Sequence, residues 1–228
     1  MQDAIAKIRA DNAQRRPADV HVIFLGDLID RGPASASVIE SLATDLIDFG
    51  KFHLIMGNHE EVFLSILQRN YKELDDWLQF GGANTLISYG IDPECAWKDH
   101  SGFAEQLEEN VPSSHVSLFE SMVDQIRCGD YLFVHAGIRP GVDLAAQKVD
   151  DLRWIREPFL SDRRSHGKVV VHGHTIVDEV EFRPNRICLD LGAYESGKLA
   201  ILGLQGTSRW VIVADRQDGS PSVGVNPA

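Results

Sequence analysis

The chain has 228 residues, of which 43% are hydrophobic and 25% are charged. This length provides for one sizeable hydrophobic core, and the composition excludes a disordered, collagen-like or coiled-coil protein. Lys and Arg number 22 and Asp and Glu number 34, so the formal net charge of −12 argues against nucleic acid or an anionic membrane as a partner. No apolar run reaches the ~20 residues that span a bilayer, and no signal-peptide core opens the chain, so we expect a cytoplasmic location.

The predicted elements alternate between short apolar strands and helices. A helix is predicted at 2–16, where Ile5 and Ile8 share one face and Pro17 follows. Continuous apolar runs, typical of strands covered on both faces, and helical spacing of apolar residues predict the elements that follow. In chain order these are a strand at 20–25, a helix at 35–46, a strand at 52–56, a helix at 60–68, and strands at 131–134, 168–171, 186–189, 199–204 and 210–214.

The composition predicts a single domain at 1–216 that contains an insertion. Residues 70–127 are richer in acidic and aromatic residues, and we expect them to form this mainly helical insertion. The stretch 217–228 contains Gly, Ser, Pro and Asn and predicts a disordered tail. The three cysteines, Cys95, Cys128 and Cys188, are widely spaced, so we expect reduced, mostly buried thiols rather than disulfides or a zinc site.

Polar side chains that could bind a metal ion follow four of the predicted strands. Asp27, Asn58, His135 and His174 each come shortly after an apolar run. Ligands at the carboxyl ends of such strands meet along one edge of a sheet, where α/β proteins place their sites. A set of carboxylate, amide and imidazole donors suits Mn²⁺, Fe²⁺ or Zn²⁺ and suits Ca²⁺ poorly, because Ca²⁺ prefers cages of oxygen atoms.

The short sequence blocks that contain these residues resemble the motifs of the calcineurin-like metallophosphoesterases. Within this family they are most similar to the bacterial serine/threonine protein phosphatases. The resemblance covers about residues 20–204 and implies an α/β metallo-dependent phosphatase fold, a central β-sandwich flanked by helices in four layers. The blocks are Gly-Asp-Leu-Ile-Asp-Arg-Gly at 26–32, Gly-Asn-His-Glu at 57–60, His-Ala-Gly at 135–137 and His-Gly-His-Thr at 172–175, with Trp-Leu-Gln-Phe-Gly-Gly at 77–82 and Trp-Ile-Arg-Glu at 154–157.

The resemblance implies a site with two divalent metal ions, Mn²⁺ in the first place, with Fe or Zn as alternatives. Asp27 would bridge the two ions, and Asn58, His135 and His174 would complete the shell of the second ion. A hydroxide between the ions would attack the phosphorus atom in line.

The resemblance also implies the residues that act on the substrate. His59 would protonate the leaving oxygen, and Asp30 would orient its imidazole. Arg31 and Arg156 would bind the phosphoryl oxygens through their guanidinium groups. His172 is expected to lie outside the set of metal ligands.

The chain departs from the family pattern at its beginning. Family members start with a strand that ends in Gly-Asp-x-His-Gly, whose Asp and His bind the first metal, and we expect this first strand and both ligands to be missing here. Asp19-Val20-His21 is no substitute, because it enters a strand rather than following one. Two explanations stay open: a shortened sequence, or a natural loss that impairs the site.

Three functions are consistent with these motifs. The leading hypothesis is a serine/threonine phosphoprotein phosphatase acting on phosphorylated protein. The first alternative is a symmetrical dinucleoside-polyphosphate hydrolase acting on a small phosphoester, which usually has Ala at the position of Asp30. The second alternative is a catalytically impaired protein that binds phosphate or a partner, because the first metal lacks two ligands.

Overall fold

The computed structural model describes residues 1–44 and 48–215. The chain divides into two compact units. The first, here called the sheet unit, comprises Met1–Leu25, Phe49–Ile55 and Asp124–Ala228, and the second, here called the helical unit, comprises Gly26–Asp48 and Met56–Val123. The predicted tail at 217–228 lies outside the described residues, and the single domain at 1–216 stays a prediction.

The described residues form ten α-helices and nine strands. The helices are α1 (Gln2–Asn12), α2 (Ser35–Ala43), α3 (Asn58–Leu67), α4 (Leu74–Trp77), α5 (Ala83–Ser88), α6 (Cys95–Lys98), α7 (His100–Asn110), α8 (Ser113–Glu120), α9 (Val149–Trp154) and α10 (Ala193–Ser196). The strands are β1 (His21–Phe24), β2 (Lys51–Leu54), β3 (Gln125–Cys128), β4 (Tyr131–Val134), β5 (Val169–His172), β6 (Glu181–Phe182), β7 (Arg186–Cys188), β8 (Lys198–Gln205) and β9 (Ser208–Asp215). A kinked turn at Leu78–Gly82, in which Gly81 has a φ of 118°, joins α4 to α5.

The sheet unit contains three sheets. β1 and β2 form a parallel pair, five strands follow the order β3-β4-β5-β7-β6, and β8 and β9 form a hairpin. In the five-stranded sheet, β4, β5 and β7 are parallel, whereas β3 and β6 pair antiparallel at its edges. This mixed α/β arrangement confirms the predicted fold class. The edge strands β3 and β6 were not predicted, because their short sequences lack a continuous apolar run.

Two hydrophobic clusters cover opposite faces of β4 and β5. Leu132, Val134 and Val170 pack in one cluster with residues of α9 and the segment after it. Phe133 and Val171 pack in the other cluster, which also receives side chains from β1, β7 and β8. Because successive side chains of a strand point to opposite faces, strands buried on both faces read as continuous apolar runs. This explains why both strands could be predicted from the sequence.

The helical unit is organised around α3. Phe63 of this helix is fully buried, stacks on Trp77 with ring centroids 5.3 Å apart, and meets Phe119 of α8 edge to face at 5.6 Å. α3 begins at Asn58, two residues before the predicted start. The residues between 70 and 123 contain α4 to α8 and no described strand.

The prediction of mostly buried cysteines is wrong for one of the three. Cys188 is buried in β7 and Cys95 is half-buried, but Cys128 is exposed at the end of the edge strand β3. The first helix ends at Asn12 rather than at residue 16. Among the described residues, no helix is both long and apolar enough to cross a membrane.

Candidate active site

Glu60 organises the loop that carries Asp27. The Glu60 side chain is fully buried, and its carboxylate accepts hydrogen bonds from four backbone N–H groups. The donors are Asp27 at 2.9 Å, Leu28 at 2.6 Å, Ile29 at 3.3 Å and Gly57 at 3.0 Å. Hydrogen bonds to a charged acceptor are roughly twice as strong as neutral ones. Glu60 therefore fixes the path of the backbone on which Asp27 lies.

Three residues of the same loop have backbone angles in the left-handed region of conformational space. The φ angles are 53° at Asp27, 69° at Asp30 and 59° at Arg31. Each costs an L-residue on the order of 1–3 kcal/mol and persists only where surrounding contacts hold it. A Cβ atom at Gly57 would lie 2.7 Å from the Asp27 backbone nitrogen and 2.9 Å from its Oδ1 atom. The Asp27 carboxylate thus lies against the beginning of α3, beside Asn58.

His59 and Asp30 form a buried pair in the helical unit. His59 Nδ1 lies 2.5 Å from Asp30 Oδ2. Trp77 Nε1 donates to the same oxygen at 2.8 Å, and the Thr85 hydroxyl donates to Asp30 Oδ1 at 2.6 Å. Burial opposes the charged imidazolium, but the hydrogen bond to Asp30 and the charges of the nearby carboxylates outweigh it and raise the pKa of His59. The pair has the form of a general acid with its orienting carboxylate.

Arg31 is held by the kinked turn at Leu78–Gly82. The Arg31 N–H donates to the Gly81 carbonyl at 3.1 Å, its Nε donates to the Phe80 carbonyl at 3.3 Å, and Asn84 Nδ2 donates to the Arg31 carbonyl. Gly81 has a φ of 118°, and a Cβ atom there would come within 2.7 Å of the Arg31 nitrogen. Only glycine allows this approach.

The sheet unit brings His135 and His174 together. His135 Nδ1 lies 2.7 Å from the Leu25 carbonyl oxygen, which can only accept, so Nδ1 carries the proton and Nε2 presents a lone pair. His174 Nδ1 lies 3.2 Å from this Nε2 atom. Both side chains are buried, with His174 8% exposed and His135 1% exposed. The Gly173 N–H donates to the His135 carbonyl at 2.8 Å and ties the two loops to each other.

His172 lies behind this pair. Its Nε2 is 3.4 Å from an Arg186 nitrogen, and its Nδ1 is 3.1 Å from the Gly173 carbonyl. Because arginine only donates, Nε2 is the acceptor and Nδ1 donates to Gly173. Burial lowers the pKa of His172 to about 4. Arg186 is buried, forms an ion pair with Glu181 at 2.5 Å, and was not singled out from the sequence.

Arg156 follows α9 in the sheet unit. Ile155 between them is buried and has extended backbone angles, whereas Trp154 and Arg156 are exposed. Arg156 thus lies on the surface of the sheet unit, directly after the end of α9.

The comparisons with known proteins identify the family. The family model described as calcineurin-like phosphoesterase matches residues 2–203. The chain belongs to the calcineurin-like phosphoesterase family. This finding agrees with the resemblance of the sequence motifs, while it leaves the serine/threonine phosphatase subtype undecided.

Related members of the family carry nucleotide-related names. The chain is 24% identical over 197 residues to the asymmetrical bis(5'-nucleosyl)-tetraphosphatase PrpE of Anoxybacillus flavithermus, covering 78% of this chain and 73% of the relative. It is 26% identical over 205 residues to the protein of the same name from Bacillus mycoides, covering 82% and 75%. A solved structure described as a candidate diadenosine tetraphosphatase shares the fold, with a TM-score of 0.64, 17% identity, and coverage of 95% of this chain and 89% of that chain.

The donors of this family member fit a divalent metal ion. Members of the family generally use two such ions. His135 presents a lone pair because a backbone carbonyl fixes its tautomer, which is the usual surrounding of a histidine ligand. In the helical unit, Asp27 and Asn58 offer oxygen donors at the beginning of α3. Imidazole and oxygen donors of this kind suit borderline divalent ions.

Proposed function

We propose that the protein is a metal-dependent hydrolase of dinucleoside tetraphosphates, which it cleaves asymmetrically into a nucleoside triphosphate and a nucleoside monophosphate. The observation that carries the choice of substrate is the name shared by the relatives, which match this chain over 78% and 82% of its length. Symmetrical hydrolases usually have Ala at the position of Asp30, so the presence of this Asp counts against symmetrical cleavage. It does not count against the asymmetrical cleavage named for the relatives. The expectation of a phosphoprotein substrate therefore becomes the second candidate.

The metal proposal rests on the family motifs and on the donors of each unit. Asp27, Asn58, His135 and His174 are proposed as the residues that would hold the metal, with Mn²⁺ as the first choice over Fe or Zn. When bound, the ions supply Lewis-acid charge on the phosphoryl oxygens and acidify a water molecule. The chain's own contribution is to keep the His135 tautomer fixed and the Asp27 loop in place.

The proposed reaction is a hydrolysis in which one phosphoanhydride bond breaks. Arg31 and Arg156 bind the phosphoryl oxygens and favour the charge that accumulates there. The oxygen of a water molecule bonds to phosphorus and loses a proton to solvent, while the bond from phosphorus to the bridging oxygen breaks and that oxygen leaves with its electron pair. His59 gives this oxygen a proton from Nε2, while Asp30 holds the Nδ1–H of the imidazole.

The second candidate is hydrolysis of phosphoserine or phosphothreonine. One observation favours it: the buried His59–Asp30 pair with its raised imidazole pKa. The alkoxide that leaves a phosphoserine is a strong base and needs an acid, whereas the phosphate oxygen that leaves a polyphosphate is a much weaker base. Protein phosphatase activity, the use of manganese and a cytoplasmic location stay predictions.

The test compares the two substrates under the same conditions. Purified protein with added Mn²⁺ is assayed against diadenosine tetraphosphate and a phosphothreonine peptide, and the nucleotide products are separated by chromatography. We expect kcat/KM at least about tenfold higher for the dinucleotide, a difference of about 1.4 kcal/mol, with ATP and AMP as products. A higher value for the peptide would support the second candidate, and two ADP molecules would contradict asymmetrical cleavage. Absence of both activities would favour a binding protein.

A further inference from the structure

Trp77 and Thr85 enclose the Asp30 carboxylate inside the helical unit. Asp30, Trp77 and Thr85 are 6%, 4% and 0% exposed. A buried carboxylate is costly unless hydrogen-bond donors surround it, and at this depth the donors must come from the protein. His59 supplies one donor, and Trp77 and Thr85 supply two others.

The direction of each hydrogen bond follows from the chemistry of the partner groups. The indole Nε1 of Trp77 can only donate, so Asp30 Oδ2 accepts from it at 2.8 Å. The Thr85 hydroxyl accepts from the Asp30 N–H at 2.9 Å, which leaves its own hydrogen for Asp30 Oδ1 at 2.6 Å. This length is typical of an O–H donor on a charged carboxylate. Both Asp30 oxygens are thus acceptors, and the proton shared with His59 Nδ1 belongs to the imidazole.

The two donors also fix the plane of the carboxylate. Trp77 of α4 binds one oxygen of Asp30 and Thr85 of α5 binds the other. Rotation about the Cβ–Cγ bond of Asp30 would break both hydrogen bonds at once. Asp30 Oδ2 is therefore kept directed at His59 Nδ1, which lies 2.5 Å away.

Trp77 is tied to the helix that carries His59. His59 and Phe63 lie four residues apart on α3 and so share one face of this helix. Phe63 stacks on Trp77 with ring centroids 5.3 Å apart and ring planes 14° apart. A Cβ atom at Gly82 would lie 2.2 Å from two atoms of the Trp77 ring, so the indole needs glycine there. The contacts close a ring from His59 through Phe63, Trp77 and Asp30 back to His59.

We propose that Trp77 and Thr85 are positioning residues, which hold the Asp30 carboxylate so that His59 keeps a proton on Nδ1 and presents Nε2 to the leaving oxygen. This inference rests on the proposed function, in which His59 is the acid. Both residues act through Asp30 and need no contact with the substrate. Removing either donor frees one carboxylate oxygen to turn, so the imidazole is held less firmly.

The first test is a spectroscopic measurement that does not depend on turnover. The full chain, with isotope-labelled histidine and diamagnetic Zn²⁺, is studied by NMR for the Nδ1–H signal of His59, which His59→Gln identifies by its loss. Trp77→Phe keeps a stacking ring and removes the N–H. We expect the His59 proton to exchange with water at least about tenfold faster in this variant, as the loss of a hydrogen bond to a charged group predicts. Thr85→Val should have the same effect, and Thr85→Ser, which keeps the hydroxyl, should restore slow exchange.

A matched control removes the same chemical group elsewhere. Trp97→Phe deletes an indole N–H that donates to another carboxylate, that of Asp75, at 2.7 Å. This variant should leave the exchange of the His59 proton unchanged. Equal acceleration in Trp97→Phe and Trp77→Phe would overturn the inference, because the effect would then not depend on Asp30.

The second test is kinetic and uses the Mn²⁺-loaded protein with nitrophenyl phosphate and phenyl phosphate. The phenolate that leaves phenyl phosphate is the stronger base and depends more on an acid. In Trp77→Phe and Thr85→Val we expect kcat for phenyl phosphate to fall about tenfold or more, with a smaller loss for nitrophenyl phosphate. KM should change by less than about twofold, because neither residue touches the substrate. Equal losses of kcat for both substrates would indicate general structural damage and would overturn the inference.

The outcomes also separate this inference from the proposed function. An unchanged exchange rate of the His59 proton in both Trp77→Phe and Thr85→Val would overturn the positioning role, whatever substrate the protein hydrolyses. Failure of the wild-type protein to hydrolyse diadenosine tetraphosphate would overturn the proposed substrate. Faster exchange in these two variants, together with the leaving-group dependence of kcat, would still support the positioning role in that case.

Discussion

Glu60→Gln is the substitution with the best-defined structural consequence. The Glu60 carboxylate binds two pairs of backbone N–H groups, one pair on each oxygen: Leu28 and Ile29 on Oε1, and Asp27 and Gly57 on Oε2. Glutamine has nearly the same shape, but its NH₂ group can only donate. One pair of N–H groups would therefore face another donor in a fully buried position.

The expected cost follows from these contacts. A buried donor left without an acceptor costs about 1–3 kcal/mol, and the remaining two bonds lose the charge of their acceptor. Two such donors give a predicted loss of about 2–6 kcal/mol in the free energy of unfolding. Because these bonds hold the loop of Asp27, we also expect weaker Mn²⁺ binding.

Urea unfolding followed by circular dichroism measures the first effect, and calorimetric titration with Mn²⁺ measures the second. Glu109→Gln, on the exposed side of α7, is the matched control and should change the unfolding free energy by no more than about 0.5 kcal/mol. A Glu60→Gln protein as stable as this control, with unchanged Mn²⁺ affinity, would show that Glu60 does not hold the loop.

Three further predictions follow from the site and the cysteines. His135→Ala should reduce Mn²⁺ affinity by tenfold or more in calorimetric titration, because it removes a ligand whose tautomer is fixed. Asp30→Asn should lower kcat by about 10²- to 10⁴-fold for a substrate with an alkoxide leaving group, because His59 loses its charged partner, and the loss should be smaller for a dinucleotide. Cys128 should react with a thiol reagent in the folded protein whereas Cys188 should not, since burial raises the pKa of Cys188 to about 11.

Each of these predictions has a control and an opposing outcome. His100→Ala changes an exposed histidine of α7 and should leave Mn²⁺ affinity unaltered, so an equal loss in both variants would speak against His135 as a ligand. Equal losses for both substrates in Asp30→Asn would contradict a leaving-group acid. Mass spectrometry locates the modified cysteine, and rapid labelling of Cys188 before unfolding would contradict its burial.

The sequence predicted those strands that are marked by an uninterrupted run of apolar residues. β4 was predicted with the bounds that the structure has, Tyr131–Val134, because burial on both faces demands an uninterrupted apolar run. The proposed ligands were found in the same way, since the end of an apolar run marks the edge of a sheet. The edge strands β3 and β6 escaped because half-exposed, short strands carry no such run.

The sequence by itself determined which residue types follow the strands and, through their motifs, the family to which the chain belongs. Only the tertiary structure decided that Glu60 binds four backbone N–H groups, that Leu25 fixes the tautomer of His135, and that the Phe80 carbonyl binds Arg31. These contacts join residues separated by 32, 110 and 49 positions. Hydrophobic periodicity reports whether one residue is buried, but it does not report which distant partner satisfies a hydrogen bond, because that depends on where folding places the other segment.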